Sequence, residues 1–383
     1  MKRFLKILRK IFYFLVLLIF ITVLGLYATG NGYVVKGFRL TYLQGNTTAN
    51  IYDADDFDNR VILAQHPQSW NFASPMHAIP EALDKKLSED NTVAFLVIKN
   101  DSVVVEKYYD GHDEKKVSNS FSMAKSVTSL LMFFAIQDGF IKGTEQKASD
   151  FLPQFNATEF GKKLTVGDLS RMTAGLDWDE SYYSPFNVTT ESYYGDELEK
   201  LMQKVSVSSA PNQEFHYQSG ATELLGMVIK KATGKTLSAY VQEKLWIPLG
   251  MESDALWTID QKDGIEKTFC CINATARDFA KLGQFVLQKG KWNGVQLLDS
   301  KYIETMTQPY LSPQYGYGFW MDHQYKPALH LFQGHLGQFI IIVPEKNAVI
   351  VRLGNGMEST YPAKNLVLND AIYYYTDQGL KCL

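Results

Sequence analysis

The chain has 383 residues, of which 21% are charged and 46% hydrophobic. That balance excludes wholesale disorder, and the length suits one large domain with ample core. Net charge is -3, but Lys2, Arg3, Lys6, Arg9 and Lys10 crowd the first ten residues; without these five, 33 basic face 41 acidic side chains, about -8. A body that acidic repels nucleic-acid phosphates, so no nucleic-acid partner is expected.

In chain order, residues 1–10 form a basic tail. Residues 11–28 follow with no charge. As a helix they span ~27 Å, close to the hydrocarbon thickness of a bilayer. Positive charge before the segment keeps the tail cytoplasmic and exports the rest, by the positive-inside rule. The segment therefore reads as one transmembrane anchor, with a cleaved signal peptide as the alternative. Residues 29–75 read as an arm between membrane and body, and residues 76–383 as the domain proper. A short helix is expected over 80–87, with proline at its first position. Residues 92–98 and 103–109 read as a hairpin.

Ser122-Met123-Ala124-Lys125 opens an apolar helix over 122–137. Positions i and i+3 share a helix face, so the Lys125 amine can reach the Ser122 hydroxyl. Serine is a weak nucleophile until a base takes its proton, and burial lowers a lysine pKa toward that task. A helix N-terminus also offers backbone N–H groups to an oxyanion. Residues 140–300 are mostly helical in pattern, with loops at 174–194 and 209–218. The second loop carries Tyr217-Gln218-Ser219 and leads into an apolar helix from Leu224. A tyrosinate beside a lysine ammonium can serve as a general base. The Y-x-S spacing is unspecific, since Tyr182-Tyr183-Ser184 and Tyr310-Leu311-Ser312 share it. His335-Leu336-Gly337 precedes a hairpin over 338–343 and 348–353. Gly337 would let substrate approach the backbone, and the Gln338 N–H would be an oxyanion donor. Residues 362–377, starting at Pro362, suit a closing helix.

Cys270, Cys271 and Cys382 give no disulfide framework, and the adjacent pair reads as two buried small hydrophobes. No CxxC or HExxH spacing exists, so no metal site and no organic cofactor are implied. The loop Asp177-Trp178-Asp179-Glu180-Ser181-Tyr182-Tyr183 has the composition of a lid, and equally that of a solvated loop pinned by aromatics. Asn46, Asn156, Asn187 and Asn273 head N-x-T sequons.

The S-x-x-K, Y-x-S and H-x-G groups, in that order, resemble those of serine hydrolases of the β-lactamase and penicillin-binding superfamily. That superfamily includes class C β-lactamases, D,D-peptidases, esterases and 6-aminohexanoate-dimer hydrolases. Three further stretches are similar to it: residues 164–176, Pro248-Leu249-Gly250-Met251, and residues 274–283. The resemblance covers residues 75–355. It implies an α+β fold, an antiparallel sheet flanked by helices with a mostly helical insertion. It also implies Ser122 as acylated nucleophile and Lys125 with Tyr217 as proton-shuttling pair. The Ser122 and Gln338 N–H groups would form the oxyanion hole, and His335, Gly337 and Ser219 would border the substrate. The Lys-Thr-Gly of β-lactamases is absent. Its place is taken by a histidine, which holds a substrate carboxylate less well. The expected activity is hydrolysis of a small-molecule ester or linear amide outside the cytoplasm. A D,D-peptidase or β-lactamase, and a penicillin-sensing module without turnover, are the alternatives. No protein partner is indicated.

Overall fold

Alternation along the strands fixes which residues face which layer. In Thr92–Lys99, Ala94, Leu96 and Ile98 point to one side, and Phe95 and Val97 to the other. Both sides are buried, because helices cover both faces of the sheet. The computed structural model describes residues 1–182, 184–357 and 368–383. Its central sheet has seven strands, in the order Trp320–Asp322, Leu329–Gly334, Gln338–Val343, Ala348–Gly354, Thr92–Lys99, Ser102–Tyr108, Asn71–Phe72. All neighbours are antiparallel except the last pair, so the expected antiparallel sheet is mixed at one edge.

Helices Glu81–Glu89 and Asp370–Lys381 cover one face, contributing Leu83, Leu87, Ile372 and Tyr375. Against the other lie Ala276–Leu287 and the helix Met123–Gln137, of which Met123 to Ala135 are all buried. The chain between Tyr108 and Trp320 supplies the mostly helical insertion. It shares a second, four-stranded sheet with Asn59–Ile62, which pairs with Ala255–Thr258.

Several boundaries differ from the sequence reading. The N-terminal helix runs over Lys2–Ala28, because the basic tail is itself made of good helix formers. Residues 29–75 are not a free arm. They contain the helix Gly32–Leu40 and a strand in each of the two larger sheets, and bury Ile51 and Ile62 in the core. The expected loop over 174–194 contains the helix Val188–Tyr194, capped by the Asn187 side chain. The helix after Tyr217 starts at Ser219, not Leu224. Pro362 lies outside the described residues. Cys270 and Cys271 are buried as expected, but they are joined to each other as a disulfide. Two of the sequons, at Asn187 and Asn273, are buried.

Candidate active site

Strand Ser118–Asn119 pairs with Ile272–Ala274 and delivers the chain to Ser122. Ser120 reinforces this. Its N–H donates to the Ile272 carbonyl at 2.8 Å, and its hydroxyl accepts from the Ile272 N–H at 3.0 Å. Phe121 then takes a left-handed backbone, φ 44°, held by its N–H donating to Asn119 Oδ1 at 2.9 Å. A bulky residue adopts that conformation only where its surroundings impose it. The turn leaves Ser122 as N-cap of Met123–Gln137, half-buried at the floor of a pocket.

Lys125 lies one turn on and is 2% exposed. Its Nζ donates to Ser122 Oγ at 2.9 Å and to the Phe269 carbonyl at 2.8 Å. Burial lowers its pKa to about 8, against the opposing pull of Glu180 and Glu223. Tyr217 reaches the same point. Burial drives its phenol well above the ordinary value, a hydrogen bond with Ser122 works the other way, and Glu180 adds to the rise. Lys125 Nζ sits 5.1 Å from the centroid of the Tyr217 ring, over its face. Burial thus works against the expected tyrosinate, which needs a lowered phenol pKa. The Tyr217 ring is fixed by Trp320 at 5.4 Å and Tyr315 at 6.0 Å.

The third motif is arranged differently from the expectation. Gln338 is fully buried one strand further in, and its side chain bonds the Gly354 and His335 carbonyls. Gly337, at φ 80°, faces away from the pocket. A Cβ there would lie 2.1 Å from Arg352 Nη1, so the glycine makes room for a buried guanidinium. The edge that meets Ser122 is Gln333, Gly334 and His335. A Cβ on Gly334 would come within 2.3 Å of the Ser120 carbonyl, so only glycine allows this approach. Among the described residues, the backbone N–H groups of Ser122 and His335 have no backbone acceptor, and both residues line the pocket. The His335 ring packs edge-on to Phe121 and stacks on Tyr182, and burial lowers its pKa.

Ser219 borders the pocket, but its hydroxyl is engaged. It donates to Glu180 Oε1 at 2.6 Å, and its N–H to Glu180 Oε2 at 2.6 Å. Glu180 also accepts from the Trp178 indole at 2.8 Å and the Tyr182 hydroxyl at 2.6 Å. This carboxylate ties the lid loop to the Tyr217 segment. Sequence reading saw the loop's composition without finding Glu180's part in it. It also missed Phe269, whose carbonyl receives Lys125, and the strand Leu329–Gly334. The alternation Leu329, Leu331 was the available signal for that strand.

The description "Beta-lactamase" belongs to the family model that matches residues 83–373. Among curated proteins, the 6-aminohexanoate-dimer hydrolase of Paenarthrobacter ureafaciens is 24% identical over 234 residues, 58% of this chain and 59% of that one. The match thus spans less than two thirds of that relative's length. The N-acetylmuramyl-L-alanine amidase of Bacillus subtilis (strain 168) is 21% identical over 330 residues, 69% of this chain and 74% of the other. A solved structure from Bacillus anthracis, a candidate 6-aminohexanoate-dimer hydrolase, aligns with TM-score 0.75 at 22% identity, covering 87% of this chain and 92% of that one. A family VIII carboxylesterase aligns with TM-score 0.59 at 16% identity, over 79% and 95%. With S-x-x-K seated at a helix start against the sheet edge and a family match across most of its length, the chain belongs to the beta-lactamase family.

Proposed function

We propose that the chain hydrolyses an uncharged ester or linear amide through an acyl-enzyme on Ser122. The 2.9 Å contact between Lys125 Nζ and Ser122 Oγ carries this reading. With its pKa lowered to about 8, a useful fraction of Lys125 is neutral at physiological pH. The neutral amine takes the Ser122 proton as Oγ bonds the carbonyl carbon. The Ser122 and His335 N–H groups receive the oxyanion. Tyr217, a neutral phenol, passes a proton to the departing alcohol or amine, and the Lys125 ammonium reprotonates it. Water then attacks the acyl-enzyme by the same relay and frees Ser122.

Among the described residues lining the pocket, Lys125 is the one lysine or arginine, and its amine is occupied as the base. No second cation is there to hold a substrate carboxylate, which favours an ester or linear amide over a β-lactam or D,D-peptide. The names of the hydrolase and carboxylesterase relatives support the same choice. Lys2–Ala28 is long and apolar enough to cross a membrane, with a mean hydropathy of 2.6 over its most apolar 18 residues. We read it as an anchor with the catalytic domain outside the cytoplasm.

A fluorophosphonate probe tests the mechanism. It should label the peptide containing Ser122, and Ser122→Ala should abolish both labelling and turnover while the protein still melts cooperatively. Lys125→Ala and Tyr217→Phe should each cut kcat/KM by roughly 10²–10⁴. Their double variant should be little worse than either alone, since members of one relay do not add. Full activity of Ser122→Ala, or an adduct on another serine, overturns the assignment. Stable labelling by penicillin with no ester or amide turnover would favour a sensor instead.

A further inference from the structure

The serine pocket is not enclosed by the catalytic domain alone. The helix Gly32–Leu40, three residues past the end of Lys2–Ala28, forms one of its walls. Tyr33 and Leu40 are buried against the body, and Gly37 lies against the Tyr194 ring. Lys36 ties the helix down through Asp196 at 2.5 Å. The adjoining face, with Val34, Phe38, Thr41 and Tyr42, lines the cavity that holds Ser122 and Lys125. Phe38 and Tyr42 stack with centroids 5.5 Å apart, yet remain 53% and 60% exposed. Tyr182, Pro185, Tyr194 and Trp320 also line the cavity. The volume is about 540 Å³, within the range of about 300–1,000 Å³ typical of ligand sites.

We infer that the substrate is a membrane-held ester or amide whose long apolar acyl chain lies along the Val34–Phe38–Tyr42 face. The inference rests on the hydrolase reading and adds the acyl class to it. Three observations carry it: aromatic and aliphatic side chains, interspersed with threonines, line the mouth; among the described lining residues Lys125 is the only Lys, Arg, Asp or Glu; and the wall itself continues from the apolar N-terminal helix. Beyond its own stacking, the Phe38–Tyr42 pair stays exposed at that place, as an apolar binding surface does. Ser122 Oγ bonds the acyl carbon at the head of the chain, and the leaving alcohol or amine departs with the proton from Tyr217.

The test uses the full chain in phosphatidylcholine vesicles and two fluorophosphonates, one ethyl and one dodecyl. Each methylene that leaves water on binding is worth a factor of about four, so the dodecyl probe should label Ser122 at least about 10²-fold faster. Bilayer partitioning raises the dodecyl rate in every variant alike. Phe38→Ser and Tyr42→Ser, both at exposed positions, should therefore lower the dodecyl-to-ethyl ratio by roughly tenfold if they line the chain's path. A dodecyl probe dissolved in the protein's own vesicles should also label faster than one held in separate vesicles. A flat ratio in the wild type, or the same ratio in both variants, overturns the acyl assignment while leaving the Ser122 mechanism in place. Equal labelling from separate vesicles overturns the membrane-held source. Failure of both probes to label Ser122 overturns the hydrolase reading itself.

Discussion

In the proposed mechanism, Lys125 sets the pH dependence of this site. Its amine is the base only when neutral, and burial has brought its pKa down to about 8. The neutral fraction grows as pH rises, so kcat/KM should climb with pH through about 8 and level off above it. Lys125→Ala should lose that ascending limb, which a pH–rate profile on the two proteins checks. A second residue-scale prediction separates backbone from side chain at the sheet edge. In Gly334→Ala the new Cβ meets the Ser120 carbonyl, pushing the His335 N–H away from Ser122. A displacement near 1 Å at such a site costs about 10²-fold, and kcat/KM should fall by that order. His335→Ala keeps the N–H and should cost about tenfold or less. Ser122 and Lys125 were legible because i and i+3 are neighbours on any helix. The proposed oxyanion donor at the sheet edge was not, because strand register decides whether His335 or Gln338 faces the pocket, and no spacing in the sequence encodes register.

At the scale of elements, the segment before residue 76 is the part that sequence reading misjudged. Its Asp- and Asn-rich composition suggested a solvated arm. Asp53 is instead buried, accepting from the Tyr193 hydroxyl at 2.8 Å and from Asn119 at 3.3 Å, and burial raises its pKa to about 6. Ile51, Ile62 and Trp70 join the main core. Losing a large buried side chain costs about 2–5 kcal/mol, and three such losses rival the 5–15 kcal/mol stability usual for a domain. A chain beginning at residue 76 should therefore show no cooperative thermal transition by circular dichroism. One beginning at residue 31 keeps every strand and should melt as a folded protein. The hairpins fared better. Asn100 and Asp101, at φ 48° and 63°, turn the first one where asparagine and aspartate were read as a turn.

At the scale of the whole molecule, the proposed anchor sets orientation. Five basic residues precede the apolar stretch, and the next, Lys36, lies beyond its end. A reporter that works only in the cytoplasm, fused to the C-terminus, should be silent, while one that needs export should be active. The reverse pattern would place the pocket on the cytoplasmic face and remove the extracytoplasmic reading.

By itself the sequence determined what depends on near neighbours: an apolar helix flanked by charge, a serine one turn from a lysine, alternating strands, and the motifs that mark the beta-lactamase family. Tertiary structure decided what depends on distant segments meeting. Tyr217 meets Ser122 in a setting so buried that its phenol pKa is pushed up. Gly334 closes on Ser120, and residues 32–42 roof the pocket. Proton affinity follows burial, and burial is a property of the packed whole. No window of sequence contains the side chains packed round Lys125, because rings such as Tyr217 and Phe269 reach it from distant parts of the chain.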